Sequence, residues 1–329
     1  MEFRKLGRTD IEVSVIGMGC WAIVGDVYWG PQDEQESIMT IKAALDAGIN
    51  FFDTAEAYGD GYSELLLGKV LAGCRDKVII ASKVSGSHLA ANDIQKACED
   101  SLKRLKTDYI DLYQVHWPNQ SIPPEETMDA LKKLQKQGRV RAIGVSNFGV
   151  EDLSAFLALG DCQSNQLPYS LLWRAIEYRI RQNCIENRVG ILCYSPLTQG
   201  LLTGKFASAD DVPEGRARSR HFSKNRAQAR HNETGCESET FAVIDKIRGI
   251  CEEIHEPMAK VALAWLLERS GVTSVLVGAR KPEQIKQNAQ AGDLKLQGDF
   301  AYRLTEATDN LKKQLGENLD MWQSQSRMQ

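Results

Sequence analysis

The sequence lacks the cysteine patterns that mark a metal site or a disulfide scaffold. It contains no Cys-x-x-Cys pair and no other spacing typical of metal ligands. Most of its cysteines fall in apolar stretches, which predicts reduced, buried thiols. They are Cys20, Cys74, Cys98, Cys162, Cys184, Cys193, Cys236 and Cys251. We therefore expect no metal centre.

Long apolar runs and a strong charge of one sign are also missing. No run approaches the ~20 apolar residues needed to cross a bilayer, and Met1–Lys5 lacks the apolar core of a signal peptide. The formal net charge of −4 does not favour binding of a polyanion. These absences predict a soluble, cytoplasmic protein with neither nucleic acid nor membrane as a partner.

What the sequence does contain is a regular alternation of strands and helices. Its 329 residues, 43% of them hydrophobic, suffice for an elaborated α/β barrel. Eight strand–helix units follow Val15 without a linker-like break, which predicts a (β/α)8 TIM barrel in a single domain, residues 1–329. Residues 2–15 predict a β-hairpin before it. An extra amphipathic helix is expected at about 305–316, followed by a frayed polar tail.

Hydrophobic periodicity sets the predicted boundaries of the barrel elements. The predicted strands are 15–19, 49–53, 78–82, 109–115, 140–145, 162–166, 189–194 and 273–277. The predicted helices are 33–48, 62–72, 93–106, 125–137, 150–158, 176–187, 238–254, 258–269 and 282–292.

The first strand ends in a glycine pattern, Gly17-Met18-Gly19-Cys20-Trp21-Ala22, that matches a dinucleotide-binding loop. A Rossmann loop opens directly into a helix, whereas residues 26–31 intervene here. The next acid at a strand end, Asp53, also lies well beyond the ~20 residues that such a loop requires. The pattern therefore does not indicate a Rossmann fold.

Three apolar strands end in residues that can do chemistry. Asp53, Lys83 and His116 each terminate a predicted strand, and Tyr58 follows shortly after the first of them. Taken singly, they could be a helix cap, a solvated lysine, a turn histidine and a loop aromatic. Because catalytic groups of a parallel barrel gather at the C-terminal ends of its strands, the combination predicts one active site.

A tyrosine in such a cluster suggests proton donation to oxygen. Its phenol titrates near ~10, and an adjacent ammonium is expected to lower that pKa, so Lys83 beside Tyr58 is a plausible pair. Asp53 would pair with Lys83, while His116 would orient the reacting oxygen or share the proton. No activated serine or cysteine nucleophile is evident, so a hydride cofactor is the natural complement.

These residues and the segments around them resemble the aldo-keto reductases, in particular bacterial members related to the potassium-channel β-subunit branch. The similarity runs from Phe3 to about Ala291. The matching segments are Gly17–Trp21, Asp53–Gly59, Val145–Phe148 and Tyr194–Leu197. The resemblance implies a barrel that binds NADP(H) and reduces aldehydes or ketones. Tyr58 would be the acid, Asp53 and Lys83 its tuners, and His116 the partner that orients the carbonyl.

The resemblance also implies a set of cofactor-binding residues. They are Trp21, Asp53, Ser146, Asn147, Gln166, Tyr194, Ser195, Pro196, Leu197, Gln199, Lys205, Arg218, Gly278, Arg280, Gln284 and Asn288. Arg218 aligns ambiguously with Arg216. Arg280, after the final strand and next to a helix N-terminus, is expected to read the 2′-phosphate. Trp21 should also line the substrate mouth, and Cys20 stands where relatives often have threonine.

Two questions stay open at this level. The basic stretch 204–240 could be a solvated loop or a lid over a phosphorylated ligand. An NADPH-dependent carbonyl reductase competes with a regulatory or redox-sensing subunit and with a barrel of unrelated chemistry, such as a sugar-phosphate enzyme. The start of the chain at the hairpin and the complete tetrad, with His116, favour the reductase. The substrate would be a small carbonyl compound.

Overall fold

A computed structural model describes residues 1–329 and begins with the predicted hairpin. Strands β1 (Phe3–Lys5) and β2 (Glu12–Ser14) pair in antiparallel register. Apolar side chains of the hairpin pack against inward-facing residues of several barrel strands. This cluster comprises Leu6, Ile11, Val13, Phe51, Ala81, Leu112, Ala142, Leu192 and Leu276. The hairpin therefore closes the N-terminal end of the barrel and leaves the opposite end open.

Eight parallel strands form a closed barrel in the order β10-β3-β4-β5-β6-β7-β8-β9. They are β3 (Ile16–Gly19), β4 (Phe51–Asp53), β5 (Ile79–Val84), β6 (Ile110–Val115), β7 (Val140–Ser146), β8 (Ser164–Pro168), β9 (Gly190–Tyr194) and β10 (Val272–Gly278). Strand β10 pairs with both β3 and β9, which closes the sheet. The predicted (β/α)8 barrel is thus confirmed.

The helices surround this barrel. They are α1 (Glu34–Asp46), α2 (Tyr62–Leu71), α3 (Ala91–Leu105), α4 (Pro124–Lys136), α5 (Val150–Leu159), α6 (Ile180–Glu186), α7 (Glu237–Ile254), α8 (Met258–Leu267), α9 (Pro282–Ala289) and α10 (Phe300–Leu315). Short 3-10 turns cover Ala72–Lys77, Ala175–Glu177, Thr198–Thr203, Ala209–Asp211 and Gln290–Asp293. None of the helices is long and apolar enough to cross a bilayer.

Amphipathic patterning explains where the helices lie. In α3 the predicted apolar stripe, which includes Ile94, Cys98 and Leu102, is buried against the barrel. Helix α1 begins after Asp33, whose carboxylate accepts a hydrogen bond from the backbone N–H of Glu36. The single helix expected over 176–187 is instead a 3-10 turn and α6, because Arg179 has φ −139° and ψ −54°, outside the helical region.

The C-terminal tail is ordered, so the expectation of fraying is wrong. Met321, Trp322 and Met328 are buried, and Arg327 forms an ion pair with Asp320 at 2.6 Å. Buried apolar side chains and this ion pair offset the entropy that fraying would gain. The tail therefore forms one wall of the open end of the barrel.

The basic stretch 204–240 is not a solvated loop. Arg220 is only 7% exposed and donates to Glu233 at 2.7 Å and to the carbonyl of Leu315 at 3.0 Å. Arg226 pairs with both Asp210 and Glu237. The pairs of Arg226 therefore order the stretch internally, while Arg220, through Leu315, ties it to the rest of the protein. Lys205, Arg216 and Arg218 instead line the open end of the barrel.

Candidate active site

A cleft of about 880 Å³ opens at the C-terminal ends of the barrel strands. Strand ends, the loop between β3 and α1, the stretch after β9 and the C-terminal tail all contribute to its walls. Active sites of (β/α)8 barrels lie at this end, where side chains from several strands can face one reacting molecule. The closed bottom of the barrel makes this cleft the natural place for catalysis.

The predicted pairing of Lys83 with Asp53 is present in the structure. The Lys83 ammonium, on β5, is fully buried and donates to Asp53 Oδ1 at 2.5 Å, to the Thr54 carbonyl at 2.9 Å and to Tyr58 Oη at 3.2 Å. All three of its protons therefore have acceptors. The parallel pairing of β4 with β5 brings the two strand ends together and so sets this geometry.

The second oxygen of Asp53 is held by two amides. Asp53 Oδ2 accepts from Gln166 Nε2 at 2.7 Å and from Gln114 Nε2 at 3.2 Å. These donors fix the carboxylate orientation, so its other oxygen stays directed at Lys83. Sequence reasoning missed Gln114, although a glutamine two residues before His116 in a fully buried strand was a usable signal.

Tyr58 lies between three groups that define the reacting position. Its ring centroid is 5.7 Å from that of His116, in an edge-on arrangement, and 6.0 Å from that of Trp21. Its hydroxyl contacts Lys83 from the side of the barrel. The structure thus brings the four predicted catalytic side chains into one cluster, with Lys83 behind Tyr58 and the other three lining the cleft.

Burial dominates the titration of this cluster. It raises the pKa of Tyr58, and the nearby Lys83 charge offsets only part of that rise. The prediction that Tyr58 has a lowered pKa is therefore wrong, although Lys83 does act in the predicted direction. Burial alone would lower the pKa of Lys83, but Asp53 and Tyr58 together raise it above its ordinary value.

His116 is neutral at physiological pH. Burial, assisted by the Lys83 charge, lowers the pKa of its imidazole to about 3. A neutral imidazole can donate one hydrogen bond to a reacting oxygen, but it carries no extra proton to share. Of the two roles left open for His116 by the sequence, orientation of the oxygen fits this environment better than proton sharing.

A hydrogen-bonded group lies beside the candidate catalytic cluster at the ends of β7 and β9. Tyr194 Oη donates to Asn147 Oδ1 at 2.9 Å, and Asn147 Nδ2 donates to Ser146 Oγ at 3.0 Å and to the His116 carbonyl at 3.0 Å. Asn147 and Ser195 have positive φ angles of 63° and 49°. Such conformations are costly away from glycine and gather at functional sites.

Further along the cleft lies a group of cations without acidic partners. Lys205 and Arg216 make no ion pair and no side-chain hydrogen bond, and burial together with neighbouring cations lowers the pKa of both. Each is affected by the charge of Arg280. The buried Oε1 of Gln199, in the same region, also lacks a partner. Uncompensated cations of this kind create a positive potential that attracts anions.

Arg280 lies at this edge but already has protein acceptors. Its guanidinium donates to Gln32 Oε1 at 2.7 Å, to the Trp29 carbonyl at 2.6 Å and to the Pro31 carbonyl. Gln32 in turn donates to the Arg280 carbonyl at 2.9 Å. Arg280 therefore ties the loop between β3 and α1 to the end of β10.

Arg218 lies elsewhere. Its guanidinium carbon is 4.1 Å from the ring centroid of Tyr28, 4.2 Å from that of Trp322 and 5.4 Å from that of Trp21. The sequence left open whether Arg216 or Arg218 lies at the predicted cofactor-binding position. In the structure Arg216, and not Arg218, lies close enough to Lys205 to lower its pKa.

All but one of the predicted site residues line the cleft, the exception being the buried Lys83. The cleft also contains residues that sequence reasoning did not identify. Among them are Tyr28, Trp29, Trp117, Arg230, Trp322, Gln323 and Arg327. Tyr28 and Trp29 stand in the irregular stretch after the first strand, and the others come from loops and the tail. No periodicity or motif marks these positions.

Comparison with known proteins gives a consistent result. The model of the Aldo/keto reductase family matches residues 15–309. The chain is 39% identical over 302 residues to Aldo-keto reductase YhdN of Bacillus subtilis, and the match covers 87% of each chain. It is 34% identical to the NADH-specific methylglyoxal reductase of Escherichia coli, covering 94% of this chain and 98% of that protein.

The solved structures agree with the fold. The aldo-keto reductase from Klebsiella pneumoniae in complex with NADPH superposes with a TM-score of 0.74 at 29% identity. The match covers 93% of this chain and 94% of that one.

Proposed function

Because this chain belongs to the aldo/keto reductase family, we propose that it reduces aldehydes or ketones to alcohols with NADPH. The observation that carries this proposal is the contact of Tyr58 Oη with the buried Lys83 ammonium at 3.2 Å, at the wall of the cleft. Tyr58 would donate a proton to the carbonyl oxygen, with Asp53 and Lys83 supporting it. The same groups would serve alcohol oxidation in reverse.

The environment of Tyr58 suits an acid that must not ionise early. Its raised pKa keeps the hydroxyl protonated at neutral pH, so the proton is available when negative charge develops on the substrate oxygen. Lys83 then stabilises the phenolate that remains. His116, being neutral, would donate a hydrogen bond to the same oxygen and hold the carbonyl in place. NADPH, when bound, supplies the hydride.

The residues along the cleft fit a dinucleotide. Lys205 and Arg216 would neutralise phosphate oxygens, and the partnerless Oε1 of Gln199 would accept a hydrogen bond from a hydroxyl of the coenzyme. Ser146, Asn147, Gln166 and Tyr194 would hold the nicotinamide end. Gly278, Gln284 and Asn288 would lie at the adenosine end, with Ser195, Pro196 and Leu197 in between. We assign the phosphate role to Arg216 rather than to Arg218.

The relatives differ in their coenzyme: the E. coli relative is an NADH-specific reductase, and the K. pneumoniae structure contains NADPH. A 2′-phosphate adds negative charge that NADH lacks. The grouping of Lys205 and Arg216 with a third cation, Arg280, favours the more negative coenzyme.

Oxidation of NADPH, followed by its absorbance in the presence of aldehydes, ketones and sugars, tests the reductase proposal. We expect substrate-dependent oxidation with at least several members of the panel. Binding of NADPH with negligible turnover throughout would favour the regulatory alternative. Absence of NADPH and NADH binding would favour a barrel of unrelated chemistry.

Replacing Arg280 with alanine should weaken NADPH binding by roughly ten- to a hundredfold and leave NADH binding nearly unchanged. Loss of a charge-assisted contact with the 2′-phosphate typically costs on the order of 1.5–3 kcal/mol. Quenching of intrinsic fluorescence by each coenzyme gives the two Kd values.

The matched control is Gln32→Ala, which removes the side-chain contacts between this loop and Arg280 without removing a charge. If it weakened NADPH as much as Arg280→Ala does, the arginine would act by holding the loop. Equal losses for NADPH and NADH in Arg280→Ala would also contradict a role in reading the 2′-phosphate.

The kcat for reduction should not change with pH near neutrality. His116 titrates at about 3, and the pKa of Tyr58 lies above its ordinary value near ~10. Reduction requires the protonated phenol, so kcat for an uncharged aldehyde should be flat from about pH 5 to 9 and fall as the pH rises through the Tyr58 pKa. Initial rates in constant-ionic-strength buffers measure this. A limb near 6.5 would mean that His116 titrates like an exposed histidine.

A further inference from the structure

Arg218 is a buried cation without a counter-ion. Its side chain lies at the cleft, yet the residue is only 8% exposed. The guanidinium makes no ion pair and no hydrogen bond to any protein atom, and its Nε is buried without a partner. Burying a charge in this state is costly unless something compensates for it. A bound anion would supply the missing acceptors.

Aromatic rings take the place that a carboxylate usually occupies. The guanidinium carbon lies over the rings of Tyr28 and Trp322, at 4.1 Å and 4.2 Å from their centroids. Contacts with ring faces stabilise the cation but accept no hydrogen bonds in the plane of the guanidinium. The terminal Nη groups of Arg218, unlike its buried Nε, thus remain available to a ligand in the cleft.

Acids near Arg218 are already engaged. Asp26 accepts from Trp21 Nε1 at 2.8 Å and from two backbone N–H groups. Asp320, two residues before the Trp322 that contacts the guanidinium, is paired with Arg327. Arg230, at the rim, donates to Tyr28 Oη at 2.9 Å and adds a further positive charge. Burial lowers the pKa of Arg218 to about 10, so the group remains charged at neutral pH.

The indole of Trp21 contacts both Arg218 and Tyr58. The same indole lies 6.0 Å from the Tyr58 ring and 5.4 Å from the Arg218 guanidinium carbon. Arg218 therefore lies one aromatic side chain away from Tyr58, in the part of the cleft where the substrate would lie. The group of Lys205, Arg216 and Arg280 is a separate concentration of charge.

We propose that Arg218 binds an anionic group on the substrate, so that the preferred carbonyl compounds carry a carboxylate or a phosphate a few atoms from the carbonyl carbon. This inference rests on the proposed reductase function and narrows its substrate class. A guanidinium can grip either oxyanion with two parallel hydrogen bonds. Trp21, Tyr28 and Trp322 would enclose the chain between the anion and the carbonyl.

The test compares 4-oxobutanoate with its methyl ester, which has the same chain and no charge. The wild-type protein should have the higher kcat/KM for the acid. Arg218→Gln should raise KM for the acid by roughly ten- to a hundredfold with little change in kcat, because the contact is made in the ground state and the transition state alike. The ratio of kcat/KM for acid over ester should fall by a similar factor. Arg218→Lys should recover part of it.

Lys224→Gln is the matched control, since Lys224 is an exposed cation on the same segment and does not line the cleft. It should leave the acid-to-ester ratio within about twofold of the wild type, which excludes a general effect of net charge. Glyceraldehyde 3-phosphate compared with glyceraldehyde, in the same variants, distinguishes a phosphate from a carboxylate as the preferred anion.

Two results would overturn the proposal. Parallel losses for acid and ester in Arg218→Gln would show that Arg218 has only a structural role. A weakened NADPH Kd in Arg218→Gln, with the acid-to-ester ratio unchanged, would assign Arg218 to the cofactor.

A separate readout keeps this inference distinct from the reductase function. Succinate, which cannot be reduced, should quench the fluorescence of the tryptophans around Arg218, and Arg218→Gln should abolish that quenching. Quenching without any carbonyl turnover would sink the proposed function and leave the anion site standing. Turnover of aldehydes without any preference for the anionic substrate would support the reductase function and contradict the anion site.

Discussion

Replacing Tyr58 with phenylalanine should lower kcat for aldehyde reduction by roughly 10²–10⁴-fold, the usual contribution of a positioned general acid. The substitution removes only the hydroxyl that contacts Lys83 at 3.2 Å and leaves the ring beside Trp21 and His116. NADPH binding should survive, because that hydroxyl faces the reacting oxygen. Steady-state rates with a saturating uncharged aldehyde, together with the Kd for NADPH, measure both expectations.

Tyr62→Phe is the control for this substitution. Tyr62 carries the same group a few residues away, but its hydroxyl donates to Glu34 outside the cleft. That variant should retain a kcat within about twofold of the wild type, as expected of a change remote from the reacting atoms. A Tyr58→Phe protein with most of its activity intact would remove Tyr58 from the role of acid.

Lys83→Met should abolish measurable reduction and also destabilise the fold. Methionine fills a similar volume but leaves the Asp53 carboxylate, which is nearly fully buried, without its counter-ion. Breaking a buried ion pair from one side typically costs about 3–5 kcal/mol. The phenolate left after proton transfer would also lose its stabilising charge. Urea unfolding and single-turnover reduction at saturating NADPH measure the two effects.

Asp53→Asn should be milder for stability. In that variant Lys83 keeps the Thr54 carbonyl and Tyr58 Oη, and the asparagine oxygen can still accept a hydrogen bond. The double variant, Lys83→Met with Asp53→Asn, removes both charges and should recover part of the stability lost in Lys83→Met alone. An unchanged pH–rate profile in Lys83→Met would show that the ammonium does not influence the phenol.

The expected influence of Lys83 on Tyr58 shows where reasoning from residue types stops. Charge proximity alone predicts a lowered phenol pKa, and the two groups are indeed in contact. The net shift is nevertheless upward, because the cost of burying the phenolate exceeds the benefit of the nearby ammonium. Burial is a property of the assembled cleft, so its size cannot be read from the neighbouring sequence.

Local sequence patterns predict both the barrel and the candidate catalytic cluster. Apolar runs that end in Asp53, Lys83 and His116 are local patterns, and parallel strands closed into a barrel must deliver their C-terminal ends to one mouth. That constraint turns three distant positions into neighbours without knowledge of any contact. The helices of the barrel follow from the same local periodicity, apart from the break at Arg179.

Contacts between distant parts of the chain determine which cations face the cleft and which segments complete its walls. Arg216, Arg218 and Arg220 are close in sequence. Arg216 lies near Lys205, and Arg218 lies among aromatic rings. Arg220 donates to the carbonyl of Leu315 and so holds the C-terminal segment. The tail itself is polar in sequence, yet Trp322 is buried in the wall of the cleft. These outcomes depend on contacts between residues far apart along the chain, and irregular segments carry no periodicity that would indicate such partners.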